Sequence, residues 1–284
     1  MGAITFSIDP DLVNVLHKNL PLEVFVETGT FKGDTIDLIK TQFKRIHSIE
    51  LSKEYYEAAI NRFQDMPHIR FLHGDSGDSI RLLRDEFKDS STLFWLDAHW
   101  CVAANTAGER SQCPLLTELK SIESLNENSV IIIDDARLFL TTVPAPHETS
   151  DWPTLTEVIQ HLLNLSHQHE LVVLNDCILF FPKKIKHAVH EHAYKNGIDW
   201  LTVLDKSRDY DLLLKQLIEK EEQIKEMDEQ INALASICAE RETELIKKEK
   251  SNQKVTEIIK DKDRRLQNVG RSRWKKMIIK IISN

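Results

Sequence analysis

At 284 residues, 41% of them hydrophobic and 29% charged, the chain is long enough for one full-sized domain and an extension. Its charge is uneven: from Ser207 onward 18 Lys and Arg face 15 Asp and Glu, a balance of +3, which leaves residues 1–206 with 19 against 30, or −11. So acidic a globular part excludes nucleic acid as the main partner, because phosphate neutralisation needs clustered Lys and Arg.

The four cysteines, Cys101, Cys113, Cys177 and Cys238, form no C-x-x-C pair and suit neither a disulfide framework nor a zinc site, so a reducing cytosol is expected. The N-terminus lacks the basic and apolar regions of a signal peptide. No apolar run approaches the roughly 20 residues that span a bilayer.

In chain order, residues 9–20 read as an amphipathic lead-in helix with Leu12, Val13, Val15 and Leu16 on its apolar side. From residue 24 short apolar runs alternate with helix-period segments. The runs are Val24–Glu27, Arg45–Glu50, Ile69–Gly74, Thr92–Asp97, Val130–Asp134, Leu171–Leu174 and Ile178–Phe181. Strand alternating with helix implies a parallel sheet with right-handed crossovers. Only Asn175-Asp176-Cys177 separates the last two runs, too short for a crossover and right for a hairpin. The expectation is a Rossmann-like α/β sheet of seven strands, six parallel and one antiparallel.

The first strand ends in Glu27-Thr28-Gly29-Thr30-Phe31-Lys32-Gly33. Glycines four apart let the backbone turn tightly and place a ligand against the amino end of the next helix. Alone, such a turn reads equally as an ordinary strand-to-helix loop. The later strand ends decide: Glu50, Asp75-Ser76, Asp97 and Asp134-Asp135 put acids at one sheet edge, where doubly wound sheets bind ligands. Buried carboxylates there need a ligand, a metal or hydrogen bonds.

Six parallel strands closed by an antiparallel hairpin strand resemble the class I S-adenosylmethionine-dependent methyltransferases. That resemblance implies that Glu27, Thr28, Gly29, Thr30 and Gly33 lie against the methionine part of S-adenosylmethionine. It further implies that Glu50 accepts from the ribose hydroxyls and that Asp75 and Ser76 read the adenine edge. Phe31 and Tyr55 could pack nearby or belong to the core. A dinucleotide site also wants glycines and an acid about 20 residues on, but the spacing here is G-x-x-x-G and the hairpin favours the methyltransferase.

The segments Phe94–Trp100 and Ile131–Arg137 carry one acid after the fourth strand, Asp97, and a pair after the fifth, Asp134 and Asp135. This pattern is similar to that of metal-dependent O-methyltransferases acting on catechols or macrolide sugars, and it implies Mg²⁺ on Asp97, Asp134 and Asp135, with Asp97 also touching the cofactor. Hard oxygen ligands suit that ion, and a bound hydroxyl loses its proton more easily. Metal-free variants share the fold, and Asp134-Asp135 could instead cap a helix and bind an acceptor hydroxyl directly. His99, beside the catalytic Asp97, is the candidate general base. Arg137 either orients an anionic acceptor or neutralises the acids around it. Residues 102–113 and Thr141–Pro153 read as loops over the acceptor pocket.

Residues 183–205 read as a helix packed on the domain and then a linker, so the methyltransferase domain is set at 1–206. From Leu213 a heptad register appears: Leu217, Ile224, Ile231, Cys238, Leu245, Asn252, Ile259 and Leu266, with Lys220, Met227, Leu234, Arg241, Lys248, Val255, Lys262 and Val269 three residues on. This predicts a coiled coil over 207–269, roughly 85 Å long, that makes a homo-oligomer of two or three strands; a single charged helix is the alternative. Gly270 is expected to end it. Residues 270–284, with Arg271, Arg273, Lys275, Lys276, Lys280 and Trp274 among Ile and Met, suit an interfacial helix on anionic lipid at the cytoplasmic face of the membrane, or a docking peptide.

A catalytic domain, a coiled coil and a basic amphipathic end resemble bacterial methyltransferases that cap O-antigen polysaccharide. That layout implies a glycan acceptor, the hydroxyl of a lipid-linked sugar. A soluble small molecule or sugar nucleotide is the alternative acceptor, and a coiled-coil scaffold with a vestigial domain is the alternative to an enzyme.

Overall fold

A computed structural model describes residues 6–100 and 111–282, with the side chains of Ser272, Lys280 and Ile282 excepted. Nine residues of the expected first acceptor loop, 102–110, lie outside the described residues. The chain divides into two units, 1–198 and 199–284.

The first unit is built on one sheet. Its strands are β1 (Val24–Thr28), β2 (Arg45–Glu50), β3 (Ile69–His73), β4 (Thr92–Leu96), β5 (Val130–Ile133), β6 (His169–Leu174) and β7 (Cys177–Pro182). They lie in the order β3-β2-β1-β4-β5-β7-β6. β7 runs antiparallel to both neighbours and every other pairing is parallel, so six strands point one way and one the other, as expected. The β6–β7 link is shorter than the sequence suggests. Asn175 and Asp176 alone make the turn, with φ of 48° and 67°, the primed two-residue hairpin in which both central residues are left-handed.

β1, β4, β5 and β7 are buried along their whole length, which is why they read as unbroken apolar runs. Alternate side chains feed two cores. Phe25, Ile46, Trp95, Ile132 and Leu179 meet α1 (Pro10–Asn19), α2 (Asp34–Ile39) and α8 (Lys186–Asn196) on one face. Val26, Ile49, Phe94, Ile131 and Phe180 meet α4 (Ser76–Phe87), α5 (Leu115–Ile122) and α7 (Leu155–Leu165) on the other. α3 (Lys53–Arg62) follows β2, and α6 (Arg137–Leu140) is a single turn after β5. Caps fix several starts: Asp9 accepts from Asp11 N–H at 2.9 Å ahead of Pro10, and Thr154 and Glu157 form a reciprocal capping box.

The second unit is one helix, α9 (Trp200–Ile282). It begins before the expected boundary at 207, because the break after α8 is only Gly197–Asp199 and most of the expected linker is helical. It also runs through Gly270, which is not left-handed. Glycine commonly ends a helix by adopting φ > 0, which Gly270 does not, and an isolated helical glycine costs only about 1 kcal/mol relative to alanine. Among the described residues no helix is long and apolar enough to cross a membrane.

Candidate active site

Backbone hydrogen bonds carry the sheet past its formal strand ends. Gly29 N–H donates to Ile49 O at 2.9 Å, Asp97 N–H to Thr28 O at 3.1 Å, and Asp134 N–H to Leu96 O at 3.1 Å. Glu50, Asp97, Asp134 and Asp135 therefore stand on a braced edge around a cavity of about 410 Å³, within the range of small-molecule and cofactor sites.

Gly29 sits at the floor of this cavity with φ +83°, and a Cβ there would lie 2.3 Å from the Asp97 carbonyl oxygen. The crossing of the two backbones admits only glycine. Glu50 is buried and closes the next wall. Its Oε2 accepts from Phe31 N–H at 2.8 Å and its Oε1 from Ser52 N–H at 2.7 Å. Each oxygen keeps a lone pair for a ligand hydroxyl. The Phe31 and Tyr55 rings are 4.6 Å apart at the rim. Asp75 caps α4 by accepting from Asp78 N–H at 3.1 Å, yet still lines the cavity with Ser76.

Of the residues the sequence assigns to a cofactor, Gly29, Glu50, Asp75, Ser76 and Asp97 converge on the cavity. Glu27, Thr28, Thr30 and Gly33 stand behind it. Glu27 is 1% exposed and accepts from the Ser48 hydroxyl, which also meets Thr30 Oγ1 at 2.6 Å. Burial, and then the nearby Glu50 charge, push the Glu27 carboxyl up to about 8.

The reacting side of the cavity differs from expectation. His99 Nε2–H donates to Asp135 Oδ2 at 2.8 Å, and His99 Nδ1 lies 3.7 Å from Asp97 Oδ1. Asp135 has a left-handed backbone, φ 54°, a sparsely populated conformation for a non-glycine residue. Its Oδ1 accepts from Arg137 Nη1 at 2.5 Å, and that guanidinium also pairs with the buried Asp176 of the hairpin turn. Burial would raise the Asp135 carboxyl, but His99 and Arg137 outweigh it and hold it below the carboxylate range. Asp134, 4% exposed, accepts from the Cys177 thiol at 2.9 Å, and burial and then Asp135 push its carboxyl upward.

These partners do not fit the expected magnesium site. Both Asp135 oxygens are committed, one to the His99 imidazole and one to the Arg137 guanidinium, and Asp134 is buried with its carboxyl pushed upward. Among the described residues no group of three or more His, Cys, Asp or Glu could hold a metal ion. Arg137 serves the two acids around it, the second of the roles open to it in the sequence.

Sequence reading missed Glu118. It lies 1% exposed on α5 with Oε1 unpartnered, the Thr28 and Ser76 hydroxyls bearing on its carboxyl, and burial pushing it up to about 7. Its signal was an acid set between Leu115, Leu119 and Ile122 on an otherwise apolar helix face. Trp152, in the segment expected to lie over the acceptor pocket, packs at 5.6 Å against the His99 ring and donates to Gln112 Oε1 at 3.2 Å.

The strand order, the antiparallel β7 and the cavity at the switch point between β1 and β4 define the Rossmann-like methyltransferase fold. The residues present fit S-adenosylmethionine: a glycine turn with no room for a side chain, and an acid placed for two hydroxyls.

The chain is similar to three solved structures of methyltransferases. A candidate methyltransferase from Streptococcus mutans in complex with SAH is 9% identical, TM-score 0.43, over 62% of this chain and 98% of that one. An N-methyltransferase from Bradyrhizobium japonicum is 14% identical, TM-score 0.37, over 61% and 92%. An rRNA methylase from Streptococcus thermophilus is 11% identical, TM-score 0.38, over 62% and 97%. No family model matches the sequence, and no curated protein matches it. At such identities and TM-scores these likenesses do not bear on activity, which rests on the site itself.

Proposed function

We propose that the chain is an S-adenosylmethionine-dependent O-methyltransferase with a His99–Asp135 dyad as its base. One observation carries this reading: the dyad opens on the same 410 Å³ cavity as Gly29, Glu50 and Asp75. When bound, S-adenosylmethionine supplies a methyl group on a sulfonium, which an oxygen nucleophile can displace. Glu50 holds the ribose hydroxyls, and Asp75 with Ser76 bounds the adenine side. His99, with Nε2–H given to Asp135, keeps the Nδ1 lone pair to take the proton of the acceptor hydroxyl. Asp135 fixes the ring and stabilises the imidazolium, and Arg137 with Asp176 holds Asp135 in place. Asp97 stands beside Nδ1 and borders both the cofactor and the acceptor.

The acceptor we infer is a sugar hydroxyl of a membrane-linked polysaccharide. Supporting it are the heptad helix after the sheet-bearing unit and the basic, apolar end of that helix, whose Trp274 and Met277 are exposed. Several such ends on an oligomer would gain avidity for an anionic lipid surface. Titration calorimetry tests the first step: micromolar binding of S-adenosylmethionine is expected, weakened at least ten-fold by Glu50→Ala, and absence of binding by the intact protein overturns the enzyme reading. Methyl transfer to purified polysaccharide, measured against free sugars and sugar nucleotides, tests the second. Turnover confined to the soluble acceptors would refute the polysaccharide.

A further inference from the structure

The apolar series of α9 is open to solvent. Leu217, Ile224, Ile231, Leu245, Ile259 and Leu266 are 54–68% exposed, and Met227, Leu234, Val255 and Val269 are 51–62% exposed. A seven-residue apolar seam of this length is covered by another helix. In heptad terms the first series occupies a and the second d.

The d positions are divided. Four are apolar and four are basic: Lys220, Arg241, Lys248 and Lys262. Each basic one is followed directly by an acid, Glu221, Glu242, Glu249 and Asp263 in turn. The apolar ones are followed by Asp228, Ala235, Thr256 and Gly270, one acid among four. Consecutive residues of a helix do not face each other, so this coupling is of no use within one chain. Among the described residues the ion pairs of α9 are Arg208–Asp205 and Arg265–Asp261, and none of the eight takes part. In a parallel coil, by contrast, a d side chain packs into a hole that includes the e residue of the facing helix.

We propose that α9 packs against a second copy of this chain, parallel and in register, with each basic d layer closed by the acid at the facing e position. Lys220 then meets Glu221, Arg241 meets Glu242, Lys248 meets Glu249 and Lys262 meets Asp263 of the other copy. Register follows from the same list. A shift of one heptad sets the four basic residues against Asp228, Glu249, Thr256 and Gly270, and the opposite shift against Leu214, Ala235, Glu242 and Thr256. Only zero shift satisfies all four, and it also places Asn252 against Asn252, the kind of polar layer that fixes register. The inference deepens the self-association read from the heptads and rests on it.

The test uses the full-length chain. With Cys238→Ser removing the native thiol of the seam, Leu217→Cys near one end of the coil is expected to give a covalent dimer under mild oxidation, because zero shift apposes the two copies of residue 217. Failure to cross-link while the protein sediments as an oligomer overturns the parallel register. Glu242→Lys with Glu249→Lys is expected to weaken self-association at least ten-fold by sedimentation. Adding Arg241→Glu and Lys248→Glu, which swaps the charges, should restore it. Association indifferent to the first pair overturns the ionic layers. A wild-type chain that stays monomeric at high micromolar concentration defeats the underlying self-association reading instead.

Discussion

Asp135 lines the cavity and Glu27 stands behind it, and their surroundings move them in opposite directions. Glu27 has hydroxyl partners and a neighbouring acid, so burial prevails and its carboxyl rises to about 8. Asp135 has an imidazole and a guanidinium, and its carboxyl falls. Glu118 joins the first class at about 7. A raised carboxyl binds its proton more tightly folded than unfolded, so between the ordinary glutamate range and about 7–8 the folded state holds the extra protons. Stability should therefore fall as pH rises from 5 to 8, by on the order of a few kcal/mol. Thermal melts should show that slope flattened by Glu27→Gln and Glu118→Gln together; an unchanged slope would reject neutral acids in the floor. The dyad gives a second test at this scale. His99→Ala should lower kcat about 10²–10⁴-fold while the calorimetric Kd for S-adenosylmethionine stays within a few-fold. Asp135→Asn should cost less and shift the pH–rate profile. Equal losses in kcat and cofactor affinity would make His99 a structural residue.

The elements that the sequence made legible are those whose surroundings are uniform. Strands buried on both faces are written as apolar runs, and the hairpin as a gap too short to cross a sheet. Acids at strand ends were legible as a set, but their partners were not, because Cys177 reaches Asp134, and Asp176 reaches Arg137, through β5–β7 pairing that no local spacing encodes. Three carboxylates after neighbouring strands thus read as a metal site, whereas the hairpin sets Cys177 against Asp134 and Asp176 against Arg137. Glu118 was obscured for a related reason: one acid among Leu115, Leu119 and Ile122 looks like a solvated helix position until α5 is laid on the sheet. The hairpin turn therefore has work beyond linking strands, since Asp176 accepts from Arg137 N–H at 2.8 Å and pairs with its guanidinium. Asp176→Ala should destabilise the fold by about 1–3 kcal/mol and free Arg137 from Asp135, lowering kcat as well. Denaturant titration and turnover on one preparation check both. Gly29→Ala, which forces a methyl group against the Asp97 carbonyl, should abolish cofactor binding before it unfolds the domain.

At the scale of the whole molecule the two units have different physics. Residues 1–198 hold both hydrophobic cores, each strand paired and each sheet face covered by helices. α9 is exposed from Trp200 to Val269. A helix with that much open apolar surface depends on association, and association depends on concentration. The stabilities of the units should accordingly separate. A chain ending at Ile198 should melt within a few degrees of the main transition of the full-length protein, bind S-adenosylmethionine with the same affinity and sediment as a monomer. The full-length protein should show an additional transition, reported by helical circular dichroism, whose midpoint rises with protein concentration and falls with salt as the charged layers are screened. If the cofactor site is complete in the first unit, small acceptors should be methylated equally by both forms, and only a membrane-linked acceptor should distinguish them. A shortened chain that fails to fold, or that loses cofactor affinity, would show instead that α9 completes the catalytic unit.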